Sequence, residues 1–152
     1  MVLNSGVSNL DSCFNGLLFP RYRKAIGASS VRVLCDIKKK HSAHAVTADV
    51  SAADTAKAAH FFSADGVILT GSATGKEADR EELSSVLKAV PSSLPVLIGS
   101  GVTPHNVGGF SEATGFIVGS YFKRAGDWRN QLDEGRIAAL VEAVEGLERN
   151  KL

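Results

Sequence analysis

The chain has 152 residues, 44% of them hydrophobic, and sets 17 Lys plus Arg against 16 Asp plus Glu. That length and apolar content suit one domain burying about 70% of its unfolded surface, and a second independent domain is not expected. The balanced charge leaves no electrostatic footprint for nucleic acid or an anionic membrane, so any bound anion must be held locally.

Residues 1–15 read as a polar, turn-rich leader, and 16–152 as the domain. The stretch "MVLNSGVSNLDSCFNG" lacks the basic start and continuous apolar core of a secretory signal. Arg21, Arg23 and Lys24 are few and late for a transit peptide, which leaves an organelle, mitochondrion or plastid, as the alternative to a cytoplasmic location. The two cysteines, Cys13 and Cys35, form no CxxC pair that would suggest zinc or redox chemistry, which fits a reducing compartment. No apolar run approaches the roughly 20 residues needed to span a bilayer.

Four apolar runs then recur: "VRVLCDIKKKH" from 31, "DGVILTGSATG" from 65, "LPVLIGSGVTP" from 94 and "TGFIVGSYFKR" from 114. Each is continuous rather than alternating, the pattern of a parallel strand buried on both faces. Helical patterns separate them. Residues 51–63 place Ala52, Ala56, Ala59 and Phe62 on one face, with Ser51 or Asp49 to cap the start. Residues 77–90 carry acids in the first turn, Lys88 in the last, and a stripe of Leu83, Val86, Leu87 and Val90. Thr103 and Pro104 are a cap and first-turn pair for a short helix that should end by Gly108 or Gly109. Residues 133–149 carry Ile137, Leu140, Val141, Val144 and Leu147 as a final stripe. The alternation predicts an α/β domain with a parallel sheet of about four βα units. An open doubly wound sheet and half of an eight-stranded barrel both fit it.

The stretch "VILTGSATGKEAD", residues 67–79, runs from a strand into a glycine-rich turn with a lysine, as nucleotide P-loops do. The full motif asks for glycine at 70 and a magnesium-binding hydroxyl at 77, where this chain has Thr70 and Glu77. A carboxylate there repels a triphosphate, so the turn needs another explanation.

The motifs "KHSAH", "ILTGSATGKEAD", "PVLIGSGVTPHNV" and "GFIVGSYFKRAG", in this order, resemble the BtpA family, TIM-barrel proteins related to the ribulose-phosphate-binding barrels. The likeness runs from about Gly16, through "RYRKAIGA", to near the C-terminus. It implies the C-terminal half of a (βα)8 barrel, since a complete barrel takes about 250 residues. A half barrel leaves sheet edges and its inner face unpaired, so a homo-oligomer is expected.

By the resemblance, Gly99, Ser100 and Gly101 follow the seventh strand, and Gly119 and Ser120 the eighth, where barrels often hold phosphate. Glycine permits close backbone approach to an anion, and Lys123 or Arg124 could add charge at the rim. Gly71, Ser72 and Thr74 follow the sixth strand on the same face as further ligand contacts, with Lys76 nearby. The plainer alternative is that these glycines serve tight turns. For acid–base chemistry the expected residues are Lys40 or His41, with Asp36 as orienting partner or metal ligand; strand alternation puts Asp36, Lys38 and Lys40 on one side. A run of three lysines also reads as a solvated strand end. His44, His60 and His105 have no ligand spacing among them, so no metal centre is expected, and no motif names a cofactor.

Two functions of different kind follow. One is binding of a small phosphorylated molecule, with or without acid–base catalysis. The other is a non-catalytic assembly or stabilising role of the photosystem I biogenesis kind, or an inactive truncated barrel.

Overall fold

The computed structural model describes residues 21–38, 49–72 and 75–149. Four parallel strands, β1 (Leu34–Asp36), β2 (Gly66–Leu69), β3 (Val96–Ile98) and β4 (Gly115–Phe116), lie in the order β1-β2-β3-β4. The register sets Asp36 beside Ile68, Ile68 beside Leu97, and Ile98 beside Phe116. Helices α1 (Ala52–Phe61) and α2 (Arg80–Ala89) make the first two crossovers, and α3 (Glu134–Arg149) follows β4. A doubly wound sheet reverses its strand order at a switch point. This sheet advances by one neighbour at each step, which is the order of consecutive strands around a barrel wall.

Pleating sorts the side chains onto two faces. Val67, Leu69, Val96 and Ile98 share a core with Ala56 of α1, Leu83 and Val86 of α2, Phe110, and Leu140 of α3. Leu34, Asp36, Ile68, Leu97 and Ile117 alternate with these and belong to the opposite face, the inside of a barrel. Every residue of β2 is buried, as its unbroken apolar sequence requires. Toward β4 the inner face opens: Ile68 is 2% exposed and Ile117 40%.

Two helix starts follow from their caps. Ser51 Oγ accepts the Asp54 N–H at 3.0 Å, fixing α1. For α2 the cap is Asp79, whose Oδ1 accepts the N–H groups of Glu81 at 2.7 Å and Glu82 at 3.3 Å. The helix therefore begins at Arg80 rather than at the expected residue 77, because Asp79 satisfies donors that Glu77 would leave orphaned. The expected helix at Thr103 and Pro104 is absent. Asn106 Oδ1 accepts the Thr103 N–H at 2.8 Å, which closes a turn, and a single 3-10 turn follows at Val107–Phe110. That turn runs through Gly108 and Gly109 because Phe110 is drawn fully into the core.

The end of the sheet away from the strand C-termini is held by Asp65. Its carboxylate accepts Arg23 Nη1 at 2.5 Å and the Val33 N–H at 2.8 Å, with Arg32 at 3.5 Å. Burial by itself would raise its pKa, but the hydrogen bond from Arg23, that from Val33 and the two guanidinium charges together hold it below the usual carboxylate value. A depressed folded-state pKa gives stability that is present above the unfolded value near 3.9 and lost as pH falls through the folded one. Asp65→Asn should cost about 1.5–3 kcal/mol at pH 7, the range for hydrogen bonds to a charged group. In urea unfolding the gap between wild type and variant should close as pH is taken below 4; a gap constant with pH would show that the charge contributes nothing.

Candidate functional site

Because all four strands are parallel, their C-terminal ends form one rim, which gathers Asp36 from β1, Gly71 and Ser72 after β2, Gly99 to Gly101 after β3, and Gly119 and Ser120 after β4. Lys40, His41, His44 and Thr74 lie outside the described residues. Lys38, expected on the side of Asp36, turns instead toward the helices, where its ammonium pairs with Glu82 of α2 at 2.6 Å. The strand pattern ends at Asp36, so alternation no longer fixes Lys38. Its carbonyl accepts the Thr70 hydroxyl. Asp36 stands on the inner face beside Ile68, with its Oδ1 shielded from solvent.

The rim glycines differ in what they do. A Cβ on Gly71 would strike the Lys76 carbonyl oxygen and lie 2.6 Å from that of Glu77. A Cβ on Gly101 would strike the Glu77 nitrogen and lie 2.5 Å from the Lys76 carbonyl carbon. The Lys76–Glu77 peptide is thus wedged between the ends of β2 and β3, close enough that only glycine fits on either side. Asn106 bolts this arrangement: its Nδ2 donates to the Glu77 carboxylate and to the Gly101 carbonyl, both at 2.8 Å. Gly101 also holds φ at +68°, a left-handed conformation that glycine adopts without strain. Here lies the explanation of the P-loop-like stretch. Its second glycine and lysine return the chain to the sheet, and the Lys76 side chain is exposed.

Gly99 has a third role. Its N–H donates to the Leu69 carbonyl at 2.8 Å, and a Cβ there would lie 2.7 Å from Ile68 Cγ2 and 2.9 Å from Thr70 Cγ2. Gly99 thereby makes room on the inner face and spends its donor on the sheet. Ser100 is buried beside it. Gly119 stands apart: a Cβ there would meet nothing within 4 Å. Its φ of −118° is not in the left-handed region, and its ψ is −81°. The chain then makes a 3-10 turn, Ser120–Phe122, in which the Gly119 carbonyl accepts the Phe122 N–H and that of Ser120 the Lys123 N–H, both at 3.1 Å. The turn rests on α3 through Arg136, which donates Nε to the Tyr121 carbonyl at 2.5 Å and lies 4.2 Å from the Tyr121 ring centre.

Asn106 and Glu77 were not among the residues expected at this rim. An Asn two residues after a Thr-Pro pair is a turn signal, but its reach across to Glu77 depends on the two strand ends being neighbours. Among the described residues, no group of three or more His, Cys, Asp or Glu is placed to hold a metal. No helix among them is long and apolar enough to cross a membrane. A groove of about 370 Å³ lies away from the rim, between β4 and α3.

Comparison with known proteins accords with this geometry. An uncharacterised protein of Caenorhabditis elegans, described as mitochondrial, is 51% identical over 140 residues, which is 92% of this chain and 49% of that protein. An uncharacterised protein of Pyrococcus abyssi is 38% identical over 78% of this chain and 44% of its own length. The photosystem I biogenesis protein BtpA of Synechocystis is 37% identical over 84% of this chain and 44% of its own. The chain spans about half the length of the curated relatives it matches. A solved TIM-barrel structure, described as native KDPGal, superposes with a TM-score of 0.58 at 22% identity, covering 84% of this chain and 54% of that one. At that identity the likeness speaks for the fold: a four-stranded stretch of barrel wall. The model of the BtpA family matches residues 14–146, and with these relatives it places the chain in the BtpA family.

Proposed function

We propose that this chain binds a small phosphorylated metabolite at the C-terminal ends of its strands, and that acid–base chemistry from the β1 end acts on it. The supporting observation is Gly119, an exposed glycine at a strand end where an added Cβ would meet nothing within 4 Å, so that open space lies before its backbone. A ligand that needs close approach to the backbone accounts for a residue without a side chain there. Ser120 and Lys123 follow within one turn, and Ser100 stands two residues past the end of the neighbouring strand. Of the other glycines, Gly99 and Gly101 contribute shape rather than donors on this reading. Asp36 is the proposed proton-handling or orienting carboxylate, with Lys40 and His41 the residues expected to work with it. We further propose that the chain self-associates, and that it works in an organelle, as the mitochondrial description of the worm relative suggests.

A thermal-shift series against inorganic phosphate, sugar phosphates and nucleotides tests the binding. Ligand at about 100 times its dissociation constant adds roughly 2.7 kcal/mol, a shift of several degrees for a chain of this size. Gly119→Val should leave the ligand-free midpoint within about 2 °C, since open surface positions usually change stability by less than about 0.5 kcal/mol, and should abolish the shift. An undiminished shift in that variant would move the site elsewhere.

A non-catalytic assembly role is the second reading, favoured by the name of the Synechocystis relative. It predicts no shift with any phosphorylated compound, and a partner role that survives Gly119→Val.

A further inference from the structure

We infer that Glu77 sets the specificity of the rim: its carboxylate, held in place by Asn106, accepts hydroxyl donors of the bound molecule and turns away a second phosphate. The ligand class is then a hydroxyl-bearing monophosphate rather than a bisphosphate or a nucleotide polyphosphate. This inference rests on the phosphate reading above and narrows it.

Asn106 has a single amide orientation open to it. Its Oδ1 accepts the Thr103 N–H at 2.8 Å, and its Nδ2 spends both protons, on the Glu77 carboxylate and the Gly101 carbonyl, each at 2.8 Å. A flipped amide would turn its oxygen toward two other acceptors and its protons toward a donor. The backbone of Glu77 is fixed as well, since a Cβ on Gly101 would lie 2.6 Å from the Glu77 Cα. An exposed glutamate ordinarily keeps its rotamer freedom. This one is held at both ends.

Its charge is also left standing. Glu82 and Asp127 each meet a cation, Lys38 and Arg129 respectively, both at 2.6 Å. Among the described residues no cation pairs with Glu77, whose partner is a neutral amide. Glu77 is exposed, and Asn106 holds Oε2, so the carboxylate keeps lone pairs for further donors.

The carboxylate belongs to the neighbourhood of the anion turn. Ile98 of β3 pairs with Phe116 of β4, and Gly101 and Gly119 each come three residues further on. Glu77 abuts Gly101, which sets it within about two strand spacings, roughly 10 Å, of the Gly119 turn. A phosphate held at Gly119 beside Lys123 leaves the rest of a small molecule to cross the rim toward Glu77. Hydroxyls arriving there donate to a charged acceptor, which makes bonds roughly twice as strong as a neutral one does. A second phosphate arriving there meets a like charge. At about 5 Å that repulsion weakens binding roughly fourfold in bulk water and more than about a hundredfold at the lower dielectric of a protein surface.

Calorimetric titration of the full chain with methyl phosphate, fructose 6-phosphate and fructose 1,6-bisphosphate, at fixed ionic strength, tests the inference. Wild type should bind fructose 6-phosphate about tenfold or more tighter than the bisphosphate. Glu77→Gln keeps an acceptor for Asn106 and should melt within about 2 °C of wild type. It should gain about tenfold or more for the bisphosphate, and the advantage of fructose 6-phosphate over methyl phosphate should fall about fivefold. The gain should shrink toward 1 M salt, where the Debye length is about 3 Å, a dependence that a purely structural role for Glu77 does not give. Glu77→Asp keeps the charge and should keep the bisphosphate weak. Equal changes for all three compounds in Glu77→Gln would overturn the inference, as would a wild type that binds both fructose phosphates equally. Methyl phosphate decides the phosphate reading separately: if it binds, those results remove the role of Glu77 alone, and if none of the three binds either chain, both readings fall.

Discussion

Gly101→Val is expected to lower the unfolding midpoint by roughly 10 °C. Two costs add. A β-branched residue at φ +68° pays about 1–2 kcal/mol for the left-handed conformation. Its Cβ also meets the backbone of Lys76 and Glu77, which cannot rotate away as a flexible side chain could. Displacing that peptide strains the Asn106 hydrogen bonds to Glu77 and Gly101, at about 1 kcal/mol or more. A total near 3–4 kcal/mol corresponds to the stated shift at about 2–4 °C per kcal/mol for a domain of this size. The measurement is a thermal melt beside Gly119→Val, which should be nearly silent. Similar midpoints for the two variants would show that the wedge contributes nothing.

Phe110→Ala should cost about 3–5 kcal/mol, the range for deleting a fully buried aromatic ring. Phe110 is 0% exposed, sits among the side chains that join α3 to the sheet, and carries the Arg80 guanidinium 5.7 Å from its ring centre. Removing the ring leaves a cavity and strands the cation that covers it. Against a total stability of about 5–15 kcal/mol typical of a domain, this is roughly a fifth of the whole or more. Urea unfolding should show a lower midpoint with an unchanged slope. Phe110→Leu, which keeps most of the volume, should recover more than half of the loss.

The central strand was legible because both of its faces are covered: "GVIL" of β2 is buried at every position, and a run buried on both sides cannot be mistaken for a half-exposed one. The helices were legible from their stripes, to within the three residues by which Asp79 displaced the expected start of α2. Thr103 and Pro104 do open a turn, its start fixed by Asn106 Oδ1 accepting the Thr103 N–H, but the chain passes at once into the short 3-10 segment Val107–Phe110, which the cap signal does not reveal. Position on the rim could be read from motif order. The division of labour among the rim glycines could not. Gly71, Gly99, Gly101 and Gly119 look alike in the chain, and what distinguishes them is the neighbour each one faces: a crossing peptide, two inner-face side chains, or open space. Lys38 went astray for the same reason, since Glu82 reached it from a helix 44 residues on.

The wedged Lys76–Glu77 peptide divides the turn after β2 into an anchor and a tip. The anchor is fixed by backbone contact on both sides and by Asn106, so it tolerates neither added bulk nor altered spacing. Ser72 and Gly75, toward the tip, are exposed, and Gly75 faces open space. A change of length or chemistry at the tip therefore leaves the register of β2 and β3 undisturbed. This makes the tip the place on the rim where ligand preference can be re-engineered by grafting, and the anchor the part of the turn to be kept unchanged.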